Sequence, residues 1–223
     1  MTSPTGIKIP IELAYTRRSA FAVELVDALT MERVSEGITA KAIGIRRQAI
    51  RNQLGLFVWP EQDLASLTKV SIETGATPYE RTDLTPDQLR LPNSLTIVPL
   101  APAVSYSFAR GVTGVRGTVL EDRQSLAPVA NAKVYLRWLD HNGEWQDAPI
   151  RSHTTRNGDF VSVLRLASNE EPNVDGGAVT VRLHVSREGM GARESADVKL
   201  PQGRIADSTK MPALTFAWDE LQP

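Results

Sequence analysis

Thr180-Val181-Arg182-Leu183-His184-Val185-Ser186 alternates apolar and polar side chains at every step. In an extended strand successive side chains point to opposite faces, so Val181, Leu183 and Val185 share a dry face while Arg182 and His184 share a wet one. A helix would scatter the same residues around its circumference, so the stretch reads as a half-buried strand. The period recurs outward from here. Lys133-Val134-Tyr135-Leu136-Arg137-Trp138 puts Val134, Leu136 and Trp138 together, and Leu214, Phe216 and Trp218 alternate with Thr215 and Ala217 in an expected final strand. Toward the N-terminus, Phe21, Val23 and Leu25 alternate with Ala22 and Glu24, and Val70 and Ile72 alternate with Lys69, Ser71 and Glu73. Strands with one wet and one dry face belong to antiparallel sheets packed face to face. The expected fold is all-β, with two tandem antiparallel β-sandwich domains.

Turn chemistry places the seams. Asn142-Gly143, inside Asp140 to Glu144, and Asn157-Gly158 both carry the Asn-Gly hairpin signal. Asn169 to Gly177 reads as a polar loop between strands. Pro99 to Gly111 is the domain boundary, which divides the chain into 1–102, a linker at 103–112 and 113–223. The aromatics Tyr106 and Phe108 predict a packed junction rather than a loose tether. Helical signals are few. Thr85-Pro86-Asp87-Gln88 has a cap, a proline at the first helical position and a Gln three after the cap, which predicts one turn through Leu89. Trp59 to Leu64 is a second candidate turn, and Arg46 to Arg51 is read as strand-loop-strand in preference to helix.

The bulk numbers exclude several classes. A chain of 223 residues, 41% hydrophobic and 23% charged, fits one large globular domain or two ordinary ones. Lys plus Arg is 25 against 26 for Asp plus Glu, so no global field draws the chain to nucleic acid or to an anionic membrane. There is no cysteine, which removes disulfides, thiolate nucleophiles and Cys-based metal sites. No run approaches the roughly 20 apolar residues that span a bilayer, so no membrane insertion is expected. Met1 to Lys8 lacks a basic segment followed by an apolar one, so the expectation is no Sec signal and synthesis in the cytoplasm.

Candidate chemistry is sparse. The three histidines, His141, His153 and His184, have no second ligand at metal-binding spacing and read as solvated. Asp27, Asp122, Asp140, Glu144, Asp147 and Asp159 fall at expected turns without calcium-loop spacing, so they read as turn formers. No nucleophile elbow, phosphate-cradling loop or zinc-protease motif occurs. No catalytic residue, metal ligand or cofactor is therefore assigned, and the chain is read as a non-enzyme. Arg17-Arg18 and the run from Lys41 through Arg46, Arg47 and Arg51 form the one basic concentration, a candidate contact for an acidic protein surface. Among the four tryptophans, Trp138 and Trp218 lie on apolar faces, whereas Trp145 sits between Gly143-Glu144 and Gln146-Asp147 and is expected to be the exposed one.

An internal repeat links the halves. Phe21 to Asp27, then Arg33 to Ile38, then Gly55-Leu56-Phe57-Val58 parallels Gly114 to Asp122, then Ala127 to Val134, then Gly158-Asp159-Phe160-Val161. Each half has a first strand ending at an Asp, a connection carrying a Val, and a Gly-x-Phe-Val unit. Residues 113–218 resemble the carboxypeptidase regulatory-like domain, a transthyretin-type sandwich. Val115, Gly117 and Val119 carry the first part of its signature, with Asp122 displaced. Pro128, Val129, Ala132 and Val134 carry the second, and Thr154 or Thr155, Gly158 and Phe160 the third. The resemblance implies a scaffold fold and no reaction, and the His, Arg and C-terminal Tyr-Arg-Gly-Ser of the transthyretin-like hydrolases do not appear. Transthyretin-like and immunoglobulin-like sandwiches of this kind, lacking signal peptides, build phage tails and tail-like contractile particles. The implied function is a structural component of such a particle, acting on other particle subunits as a homo-oligomer or ring-associated protein. Its extended ends, Met1–Pro10 and Arg204–Pro223, are expected to add strands to a neighbour. The alternative is a carbohydrate- or cell-surface-binding module.

Overall fold

The computed structural model describes residues 18–92, 94–167 and 169–223; Arg17 and the arm Met1–Pro10 lie outside them. The described chain is all-β. The N-terminal half carries β1 (Ser19–Asp27), β2 (Thr39–Ile43), β3 (Ile50–Arg51), β4 (Phe57–Pro60), β5 (Lys69–Glu73), β6 (Thr82–Leu84) and β7 (Leu95–Leu100). The C-terminal half opens with β8 (Thr113–Leu120), β9 (Lys133–Leu139), β10 (Trp145–Asp147), β11 (Ser152–His153), β12 (Asp159–Leu164) and β13 (Val174–Asp175). It closes with β14 (Ala178–Arg187), β15 (Gly191–Glu194), β16 (Val198–Pro201), β17 (Ile205–Asp207) and β18 (Thr215–Ala217).

The strands form four sheets. In the first half the orders are β3-β4-β1-β7 and β2-β5-β6. In the second they are β12-β8-β17, with β18 also on β8, and β10-β9-β14-β13, with β11, β15 and β16 attached. One core gathers Phe21, Val23 and Leu25 of β1, Phe57 and Trp59 of β4, and Val70 and Ile72 of β5, so it draws on both sheets of its half. Trp59 is wholly buried and stacks on Phe21 with ring centroids 4.4 Å apart. A second core gathers Val134, Leu136 and Trp138 of β9, Val181, Leu183 and Val185 of β14, and Phe160 and Phe216. The alternations that predicted these strands therefore point where the period requires.

The repeat extends to individual backbone bonds. Asp27 N–H donates to Glu32 O at 2.8 Å, as Glu121 N–H does to Ala127 O at 2.8 Å. Val34 N–H donates to Leu25 O and Val129 N–H to Val119 O, both at 2.9 Å. Gly55 N–H closes a turn on Asn52 O and Gly158 N–H on Thr155 O, both at 3.0 Å, with φ of 80° and 79°. In each half the first strand lies between the strand carrying the Gly-x-Phe-Val phenylalanine and a late strand that runs parallel to it.

Several expectations need correction. Two of the four sheets are mixed, because β7 pairs parallel with β1, and β17 and β18 pair parallel with β8; the sheets of β2-β5-β6 and of β9 and β14 are antiparallel as expected. The Asn157-Gly158 turn joins β11 and β12, which lie in different sheets, so it is a corner and not a hairpin; Asn142-Gly143 does join the paired strands β9 and β10. The final strand spans only Thr215–Ala217, with Leu214 and Trp218 held in short 3₁₀ turns on either side. Trp59 to Leu64 is no helix: Phe57–Pro60 is strand, because Trp59 is needed in the core. Asn169 to Gly177 contains β13, which turns back onto β14 through Gly176 and Gly177. Arg204–Pro223 is not a free arm, since β17 and β18 complete the sheet of β8 and Gln222 bridges to Glu194. The Thr85 turn forms as a 3₁₀ turn over Pro86–Gln88, with the Thr85 N–H donating to the Gln88 side chain at 2.9 Å. Arg46 to Arg51 is loop followed by β3.

Candidate interaction surface

The outward face of the sheet β3-β4-β1-β7 is unusually apolar. Because Phe21, Val23 and Leu25 face the core, Ala22 and Glu24 must face out. The register places Ile50 opposite Val58, Val58 opposite Ala22, and Ala22 opposite Leu95, which makes one cross-strand row over all four strands. Ile97 stands beside it, next to Glu24. Ile50 is 56% exposed and Ile97 54%. Exposed β-branched and leucine side chains scattered singly are ordinary; here they line up along one sheet face.

The basic residues border this face. Arg46 and Arg47 sit exposed on the turn between β2 and β3, and Arg51 on β3 itself. Arg47 donates to Glu61 O at 3.3 Å, and Glu61 N–H donates to Arg18 O at 2.9 Å, so Arg18 and Arg47 meet at the same residue. Arg51 donates to Ser35 O at 3.0 Å. Arg18 and Arg47 thus meet at the Glu61 end of β4, while Arg51 sits at its other end, beside Phe57 and Ser35.

Trp145 lies apart, on the outer face of the sheet built on β9 and β14. It is half-buried rather than exposed, because the Arg182 guanidinium covers its ring at 4.1 Å. Arg182 is in turn held by Asp197 at 2.7 Å. Nearby, Arg137 bridges Asp147 at 2.9 Å and Glu194 at 2.7 Å. His184 stacks on Tyr135 with centroids 4.4 Å apart and lies 3.4 Å from Glu194, so it is no solvated histidine. Burial would raise the Glu194 carboxyl, but the bonds from Arg137 and His184 and their charges hold it below its ordinary value.

Asp122 and Asp140 behave as turn formers, whereas Asp147 sits in β10 paired with Arg137 and Arg151, and Asp159 opens β12 and accepts the Thr118 hydroxyl. Asp122 accepts the Gln124 and Ser125 amides, and Asp140 those of Asn142 and Glu144. Among the described residues no group of three or more His, Cys, Asp or Glu side chains is placed to hold a metal. Asp27 does more than its sequence position suggests. One oxygen accepts the amides of Leu29 and Thr30 at 2.6 and 3.0 Å, and the other accepts Tyr79 Oη at 2.9 Å and Tyr106 Oη at 2.5 Å. Burial alone would raise its carboxyl, yet Tyr106, the two amides and Tyr79 hold it low. The same contact, with burial, pushes Tyr79 up to about 12 and raises Tyr106 as well.

Asp27 ties the joining segment to the first half through Tyr106, and other contacts carry the junction to the second half. Ala28, Ala101, Ile150 and Val163 form a small shared core, with Leu29, Phe108, Val112 and Ile205 packed on it. Arg116 donates to Tyr106 O and lies over the Phe108 ring at 5.3 Å. His153 N–H donates to both Glu80 carboxylate oxygens at 3.0 and 2.9 Å, and its ring Nδ1 lies 3.1 Å from one of them. The packed junction expected from Tyr106 and Phe108 is present, but its acceptor, Asp27, and the Glu80–His153 contact carried no local signal. No family model matches the chain, and no curated protein or solved structure matches it either. No helix among the described residues is long and apolar enough to cross a membrane.

Proposed function

We propose that the chain is a non-enzymatic assembly component that works through protein–protein contacts, as a structural subunit of a phage tail or tail-like contractile particle. The observation that carries this reading is the solvent-facing row Ile50, Val58, Ala22 and Leu95, flanked by Ile97 and bordered by Arg18, Arg46, Arg47 and Arg51. A row of this kind is costly to leave in water and gains from burial against a neighbour, at about 25 cal/mol per Å² of apolar area covered. The reading takes the two halves as tandem sandwiches of the carboxypeptidase regulatory-like type, 1–102 and 113–223, joined by the packed segment 103–112. Two cores joined by the shared packing of Ala28, Ala101, Ile150 and Val163 give a stiff connector, which suits a subunit that must hold neighbours at fixed spacing. The particle class rests on the resemblance of 113–218, and in it the protein would pass from the cytoplasm into the assembled particle.

A glycan-binding role has less support, since the faces of Trp145 and Tyr135 that a sugar would stack on carry Arg182, Arg151 and His184. Size-exclusion chromatography with light scattering tests the assembly reading. The expected result is self-association, or co-elution with tail-type subunits, that Ile50→Glu and Ile97→Glu together abolish without changing the melting midpoint. A strict monomer that joins no particle and binds glycans on an array overturns it.

A further inference from the structure

At the open side of the N-terminal half, β2 is the edge of its sheet and β3 the edge of the other. Between them runs a groove of about 490 Å³ with Ile38, Ala40, Ala42, Ala49 and Phe57 in its walls. The sole strand paired with β2 among the described residues is β5. The other side of β2 is met by a side chain. Ala42 N–H donates to Gln48 Oε1 at 3.2 Å, and Gln48 Nε2 donates to Ala42 O at 3.1 Å. One primary amide thus makes the pair of bonds that a residue of an added strand would make. Backbone direction repeats every second residue, so Ala40 turns its N–H and C=O the same way as Ala42.

The rim is basic. Lys41 and Arg51 line the groove, and Arg46 and Arg47 occupy the turn at its end. No described carboxylate forms an ion pair with Lys41, Arg46, Arg47 or Arg51. Glu73, across the sheet from Thr39, lies 3.2 Å from Arg81 and is already paired. An edge with backbone groups that no described strand pairs, an apolar floor and a rim of cations without a described carboxylate partner selects one kind of occupant by strand addition. We propose that this groove takes an extended segment of a partner subunit in which acidic side chains alternate with small apolar ones. Its backbone pairs with β2 at Ala40, its apolar side chains enter the groove, and its carboxylates meet Lys41 and Arg51.

This inference rests on the assembly reading but is separable from it. The probe is a fluorescein-labelled synthetic peptide of alternating Val and Glu, compared with one of alternating Val and Lys, followed by fluorescence polarisation on the full chain. The Val–Glu peptide is expected to bind saturably and the Val–Lys peptide not to bind. The double variant Lys41→Glu, Arg51→Glu should weaken Val–Glu binding roughly tenfold or more and admit the Val–Lys peptide. Ala40→Pro removes an edge N–H that takes part in no ladder bond among the described residues, so it should abolish binding while the melting midpoint is kept. Absence of Val–Glu binding to the wild-type chain, equal binding of both peptides, or wild-type affinity in the folded variants overturns the groove. A chain that self-associates but fails these peptide tests overturns the groove and not the assembly reading; a strict monomer that joins no particle yet passes them does the reverse.

Discussion

Asp27 shows how one side chain can set both a turn and an interface. Its two oxygens divide the work, one holding the Leu29 and Thr30 amides and the other the Tyr79 and Tyr106 hydroxyls. Hydrogen bonds to a charged acceptor contribute about 1.5–3 kcal/mol each when the group is buried. Asp27→Asn keeps the size but loses the charge and presents a donor to two phenols, so it should cost about 2–3 kcal/mol in urea unfolding. Tyr106→Phe, which removes a single donor, should cost less. The pH dependence has a fixed sign. The folded carboxyl lies below its ordinary 3.8, so the stability it contributes is present above about pH 4 and is lost as pH falls through the folded value. Tyr79 works from the other end: raised to about 12, it contributes stability that is complete below its ordinary 10.0 and lost as pH climbs toward 12. Asp27→Asn should therefore flatten the acid-side decline and bring the Tyr79 ultraviolet titration back toward 10.0. Identical acid slopes and identical tyrosinate titrations in the two proteins would show that Asp27 is not the acceptor.

At the scale of elements, the repeat makes matched positions comparable. Gly55 and Gly158 occupy the same left-handed turn position, but their surroundings differ. A Cβ at Gly158 would lie 2.4 Å from the Val119 carbonyl oxygen, which β8 and the bond from Val129 N–H hold in place, whereas at Gly55 the nearest atom is the Ser35 hydroxyl at 2.8 Å, which can rotate away. Gly143 has the same positive φ with open space around it. Alanine at Gly143 should cost about 1 kcal/mol from backbone strain alone, at Gly55 somewhat more, and at Gly158 about 3 kcal/mol or more. Chemical denaturation of the three variants checks the order, and equal losses would refute the steric part. The Gly-x-Phe-Val unit was legible because Gly and Phe are each forced by a local requirement, a positive φ and a core plug. The strands were legible because burial of one face imposes a period of two. What escaped was non-local. Parallel pairing of β7 with β1 depends on where the chain returns after about 70 residues, and no alternation encodes direction. The Gln48 clip on Ala42 and the Tyr79 and Tyr106 bonds to Asp27 join positions with no shared periodicity. Of the basic site, the clustering of Arg46, Arg47 and Arg51 was readable from proximity in sequence. Its meeting with Arg18 through Glu61 was not, and Trp145 belongs to a different face altogether.

Over the whole molecule, the decisive question is whether the two cores behave as one body. Val163 is fully buried, yet it belongs to neither large core; it packs with Ala28 and Ala101 from the first half and Ile150 from the second. The Arg165 guanidinium extends the same contact by donating to Ala28 O at 3.1 Å. Apolar packing, the Arg165–Ala28 bond and the Glu80–His153 bonds all cross the seam, so opening one half strips partners from the other. Unfolding should accordingly be a single transition, with calorimetric and van't Hoff enthalpies in agreement. Val163→Ala should lower stability by about 2 kcal/mol through the cavity it leaves. Because Val163 contacts both halves, amide-exchange protection should fall in β1 and in β9 together, although β1 lies far from the substitution in sequence. Two resolved calorimetric transitions, or protection lost in β9 while β1 keeps its own, would mean that the junction touches without coupling. In that case the stiffness invoked for a connector in a multi-subunit particle would have to come from the neighbours and not from this chain.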